Sequence, residues 1–113
     1  MSYKHLSNYL RTHRQRQALT QREVAVLLGV DHQPVVAKYE AGRHKPPLDV
    51  LLAYRYIFKV PLGELFAGEY DRVVADVRRR AQRLSRELDA KPFTPVVKRK
   101  LDFITELIYP PRA

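Results

Sequence analysis

The segment from Thr20 to Gly42 allows this chain the fewest folds. Thr20-Gln21-Arg22-Glu23 reads as a capping box, in which each end residue's side chain satisfies the other's backbone N–H. Val24, Leu27 and Leu28 follow as an apolar stripe at helical spacing. Gly29 suits the left-handed position that closes a helix. Val30-Asp31-His32 then makes a tight turn. The next helix is expected to run to about Ala41, with Val36 and Tyr39 facing inward. Pro34 falls in its first turn, where the missing N–H is harmless. Gly42 stops it, and Arg43-His44-Lys45-Pro46-Pro47 forms a stiff basic loop.

The flanks continue in short helices. Leu6, Tyr9, Leu10 and His13 recur at i, i+3, i+4 and i+7, which predicts a helix from about Lys4 to Arg16. A fourth helix is expected from about Leu48 to Phe58, burying Leu51, Leu52, the stem of Arg55 and Phe58. Pro61 restarts the chain into a short fifth helix with Leu65 and Phe66. Beyond Phe66 the pattern changes. Tyr70, Val74, Val77, Ala81, Leu84 and Leu88 are spaced as an a/d seam. Lys91-Pro92 breaks it, Thr94-Pro95 is an N-cap followed by Pro at N1, and Val97, Leu101, Ile104 and Ile108 repeat the spacing until Pro110-Pro111. Tyr70 and Val73 are expected against the first five helices. Further along, Arg78, Arg79, Arg80, Arg83 and Arg86 surround a narrow stripe, which suits a partner helix. The expected dimer seam is Val77, Ala81, Leu84, Leu88, Leu101, Ile104 and Ile108. The reading is all-α: five helices over residues 1–66, then a two-helix hairpin over 67–113.

Composition narrows the function. In 113 residues, 21 Lys and Arg face 12 Asp and Glu, giving +9 and a pI near 10.1. Such a balance suits a polyanionic partner, nucleic acid first. Both parts share it, with +5 over residues 1–66 and +4 over 67–113. The absence of Cys excludes a disulfide framework, a thiolate zinc site and a cysteine nucleophile. His5, His13, His32 and His44 are scattered, so no metal site is expected. No G-x-S-x-G, Gly-rich phosphate loop or paired carboxylates appear, so neither catalysis nor a cofactor is expected. No apolar run approaches a membrane span, and the N-terminus lacks the apolar core of a signal peptide, which places the expected site of action in the cytoplasm.

Five details coincide: Thr20-Gln21, Leu28-Gly29-Val30, Val36 with Tyr39-Glu40, Gly42-Arg43-His44-Lys45-Pro46, and Val60-Pro61-Leu62-Gly63-Glu64-Leu65-Phe66. Together they resemble the Xre/Cro/phage-repressor helix-turn-helix family, over about Leu6 to Phe66. The resemblance implies a five-helix, repressor-type DNA-binding domain of bacterial, phage or mobile-element origin, whose third helix enters the major groove. Carried over by position, Gln33, Pro34, Ala37 and Lys38 would face bases: Gln33 toward adenine, Lys38 toward guanine, Pro34 and Ala37 as apolar contacts. Val35 would lie at the groove edge. Gln21, Arg43, His44 and Lys45 would hold phosphates. Arg14 and Glu40 would pair to fix the recognition helix. Gly29 to Gly42 holds one residue more than the family's commonest spacing. Anchoring on Val36-Tyr39-Glu40 puts the extra residue at Asp31-His32; anchoring on Gly29 shifts the readers to His32, Gln33, Val36 and Ala37. Pro47 and Pro61 stand where the family often has Ser caps.

The function so implied is sequence-specific binding of double-stranded DNA by a homodimer, at a pseudo-palindromic operator, in transcriptional regulation. No small-molecule ligand is expected. An alternative is a protein-interaction module, such as an antitoxin whose C-terminal hairpin neutralises a partner protein. A small nuclease is disfavoured by the lack of clustered acids or histidines.

Overall fold

The computed structural model describes residues 8–30 and 33–111, with backbone only at Gln33. Among the described residues there are seven helices and no strand, so the chain is all-α. They are α1 (Leu10–Arg16), α2 (Gln21–Leu28), α3 (Gln33–Glu40), α4 (Leu48–Phe58), α5 (Leu62–Leu65), α6 (Ala67–Asp89) and α7 (Pro95–Ile108). None is long and apolar enough to cross a membrane. The chain divides into two compact units that meet between Asp71 and Arg72.

In the first unit, α1 starts later than the apolar spacing predicts. Asn8 and Tyr9 are not helical, because the Asn8 side chain accepts the Leu10 N–H at 3.1 Å and the Tyr9 N–H is committed to the Leu65 carbonyl at 2.7 Å. Lys4, His5 and Leu6 lie outside the described residues. The α2 capping box is complete: Thr20 Oγ1 accepts the Glu23 N–H at 3.0 Å, and Glu23 Oε1 accepts the Thr20 N–H at 2.8 Å. The Thr20 backbone N–H first, and the Thr20 side chain after it, hold the Glu23 carboxyl below the usual glutamate range. Gly29 closes α2 at φ 74°, with its N–H on the Val26 carbonyl and that of Val30 on Ala25, the Schellman arrangement. The α4 and α5 helices begin at Pro47 and Pro61 without a side-chain cap from either residue.

The core holds Leu10, Val24, Ala25, Val36, Tyr39, Val50, Tyr54 and Leu65. Three expected positions differ. Leu27 is 54% exposed, because the buried face of α2 is centred on Val24, Ala25 and Leu28. In α4 the inward pair is Val50 and Tyr54, which puts Leu52 about 200° round from Val50 at about 100° per residue. Leu52 and Arg55 are therefore exposed, while Leu51 and Phe58 are half-buried. Tyr54 anchors an aromatic group, edge-on to Tyr39 and Phe66 at 6.4 Å and stacked on Phe58 at 6.0 Å. Burial pushes its hydroxyl pKa up, and the Glu40 carboxylate adds to this. Tyr70 lies over Gly63, where a Cβ would sit 3.4 Å from the ring.

In the second unit, Ala81 and Leu88 of α6 pack with Ile104 and Ile108 of α7, flanked by Val97 and Leu101. Thr94 caps α7 by accepting the Val97 N–H at 3.1 Å, and Pro95 is its first residue. Arg78 donates twice to the Ile108 carbonyl, at 3.1 and 2.8 Å, and so joins α6 to the end of α7. Val73, Val77 and Leu84 stay open, at 47%, 40% and 44% exposure.

Candidate nucleic-acid interface

Glu40, the last residue of α3, gathers groups from two other helices. Arg14 of α1 donates to it through two nitrogens, Nε to Oε2 at 2.6 Å and Nη2 to Oε1 at 3.2 Å. Such a two-point, charge-assisted contact fixes direction as well as distance. The remaining guanidinium nitrogen of Arg14 donates to the Leu19 carbonyl at 2.9 Å, in the turn before α2. Gln21, the first residue of α2, donates Nε2 to Glu40 Oε1 at 3.1 Å. The Arg14 and Glu40 side chains are only 12% and 6% exposed, so water screens this cluster little.

A second tie holds the same end of α3. The buried Asn8 donates Nδ2 to the Tyr39 carbonyl at 3.0 Å. Sequence reading missed Asn8 because the apolar spacing carried the helix through it. The available signal was a short polar side chain just ahead of Leu10, where Asn commonly bonds to a helix's first N–H groups.

With its inner side pinned, α3 has a defined outer side. Val36 is fully buried and Tyr39 nearly so. The frame anchored on Gly29, which turns Val36 outward, therefore does not describe this helix. Pro34 and Lys38 are exposed and Ala37 is half-buried; these stand at i, i+4 and i+3 and share a face. Val35 is half-buried and packs on the core. Gln33 opens α3, but its side chain, like Asp31 and His32, lies outside the described residues.

The loop after α3 is bound to it. Gly42 has φ 74°, its N–H reaches the Tyr39 carbonyl at 3.1 Å, and the Arg43 N–H reaches the Lys38 carbonyl at 2.9 Å. The backbone of the basic loop thus hangs from the carbonyl of Lys38. Arg43, His44 and Lys45 are all exposed. Gln21 is placed differently from these: half-buried, with its amide nitrogen turned onto Glu40. The structure brings together Arg14, Gln21 and Glu40 as one cluster, and Lys38 with Arg43 as neighbours across a helix end. Among the described residues, no group of three or more His, Asp or Glu side chains is placed to hold a metal ion.

A braced helix with an open apolar and cationic face, continued by a basic loop, matches a duplex: side chains reach base edges while cations meet the backbone. Residues 5–65, more than half of the chain, match the helix-turn-helix domain family. No curated protein and no solved structure matches the chain. The match covers α1 to α5 with the braced third helix, and the chain belongs to the helix-turn-helix domain family, in its DNA-binding Xre/Cro group.

Proposed function

We propose that the chain is a transcriptional regulator that reads double-stranded DNA with α3 and works as a homodimer in the cytoplasm. The observation that carries this reading is the outer side of α3, open at Pro34 and Lys38 while Arg14 and Asn8 hold its inner side. Gln33, Pro34, Ala37 and Lys38 are the base readers. Arg43, His44 and Lys45 hold the phosphates of the same half-site, and Gln21 stands at the α2 end of that contact. Residues 1–66 form the reading head and 67–113 the dimerising hairpin. Ala81, Leu88, Ile104 and Ile108 already bury one another within one chain. Of the expected seam, Val77 and Leu84 stay open, and with Val73 they form the surface for a second copy.

A two-fold dimer requires a pseudo-palindromic operator, with half-sites about one helical turn, or a multiple of it, apart. The test is selection from a pool of randomised duplexes with the full chain, followed by sequencing of the retained DNA. The expected result is two inverted half-sites at that spacing. A single unpaired half-site overturns the dimer, and retention without any consensus overturns sequence-specific reading.

A further inference from the structure

Between Asp76 and Glu87, α6 contains five arginines and no acid: Arg78, Arg79, Arg80, Arg83 and Arg86. They differ in what they do. Arg78 is committed to the Ile108 carbonyl. Arg79 is paired with Asp76. Among the described residues, no carboxylate lies within ion-pair distance of Arg80, Arg83 or Arg86, and all three are exposed. At i, i+3 and i+6 they span about 120° of the helix surface, centred on Arg83 and outside the Ala81–Leu88 stripe. The part of α6 that carries them, residues 72–89, belongs to the second unit and packs on α7, so the three cations form a fixed surface.

We propose that Arg80, Arg83 and Arg86 are a second, sequence-independent contact to the phosphate backbone of the DNA that the head binds. The proposal rests on the DNA-binding reading above and extends it to the second unit. Three observations fit a phosphate backbone. The cations are all arginine, whose planar fork matches phosphate oxygens two at a time. The positions within the arc they span, Arg79, Asp76 and Glu87, are charged, and the exposed apolar Val73 and Leu84 border it only on the Arg80 side. The buried stripe of α6, Ala81 and Leu88, lies about 140–160° round the helix from Arg83. The tether adds a further reason. Once the head is bound, a contact from the second unit to the same duplex is intramolecular, so one too weak to act alone adds to binding. They add affinity and salt dependence without adding sequence preference.

The test compares the full chain with Arg80→Gln/Arg83→Gln/Arg86→Gln and with the matching triple Lys variant, on a random-sequence duplex of about 40 base pairs, long enough to extend past one head's contacts. The quantity read is the slope of log affinity against log salt. Each lost phosphate contact lowers that slope by about 0.9. The Gln variant is expected to lose about 2 to 3 in slope for each chain bound, about twice that where both copies of a dimer meet the duplex, and the Lys variant to keep it. Sedimentation is expected to give the same assembly for all three. An unchanged slope in the Gln variant, with the wild type binding the duplex normally, overturns this inference and leaves the DNA-binding reading intact. Failure of the wild type to bind any duplex overturns that reading instead. An unchanged slope with lost retention on a polyglutamate column overturns the proposal in favour of an acidic protein partner.

Discussion

Glu40 shows at the scale of one residue how this fold sets a reading angle. Its carboxylate sits at 6% exposure, where an unpaired charge is costly, and Arg14 and Gln21 are the groups that make it affordable. Because those groups come from α1 and α2, satisfying the charge also fixes α3. Arg14→Met keeps the volume and removes the partner. It is expected to lower unfolding free energy by about 3–5 kcal/mol in a denaturant titration, the range for breaking a buried pair by removing one member. Arg14→Met/Glu40→Leu should regain most of that stability, since no buried charge is then stranded, while binding to the cognate duplex stays weak. A loss under about 1 kcal/mol in the single variant would mean that water reaches the carboxylate as it would a surface pair. Asn8 works on the same helix end by neutral bonds, through the carbonyl of Tyr39.

At the scale of elements, local chemistry decided most boundaries. The capping box and Gly29 defined α2 in the sequence, and Thr94-Pro95 with Pro110 did the same for α7, because caps and breakers act within a few residues of themselves. Which side of a helix faces inward is a tertiary matter, and there the sequence was less legible. Leu27 and Leu52 are as apolar as their buried neighbours, and only the arrangement of the other helices leaves them out. The start of α1 was obscured for a related reason: an apolar period runs on through Asn8, whose bonds to Leu10 and Tyr39 end the helix there. The hairpin stripe was legible as a stripe, but whether its residues met each other or a second chain was not. The α2 cap also predicts a response to pH. The folded Glu23 carboxyl titrates below its unfolded value, so its contribution is complete above the ordinary glutamate range, near pH 4.3, and fades as pH falls through the folded value. Glu23→Gln should therefore melt below the wild type at neutral pH, and the gap should close on acidification toward about pH 3. A gap that stays constant from pH 7 to pH 3 would show that the carboxylate's charge has no part in the cap.

At the scale of the whole molecule, a net charge of +9 is shared by two units. The first places its cations beside a braced helix, at Lys38, Arg43 and Lys45. The second places them along α6, beside an apolar side that remains open at Val73, Val77 and Leu84. General attraction to a polyanion follows from the charge alone; in the proposed function, selectivity comes from the outer side of α3. The two contributions separate cleanly in one substitution, because a base contact is lost on the cognate site only, whereas a phosphate contact is lost on every sequence. The decisive measurement is the affinity of Lys38→Ala beside the wild type, at one salt concentration, for the duplex selected from the random pool and for a scrambled duplex of equal length. The account predicts a loss of about 1–3 kcal/mol on the selected duplex and little change on the scrambled one. Equal losses on both would contradict it, showing that Lys38 supplies charge alone and that α3 does not read the sequence there.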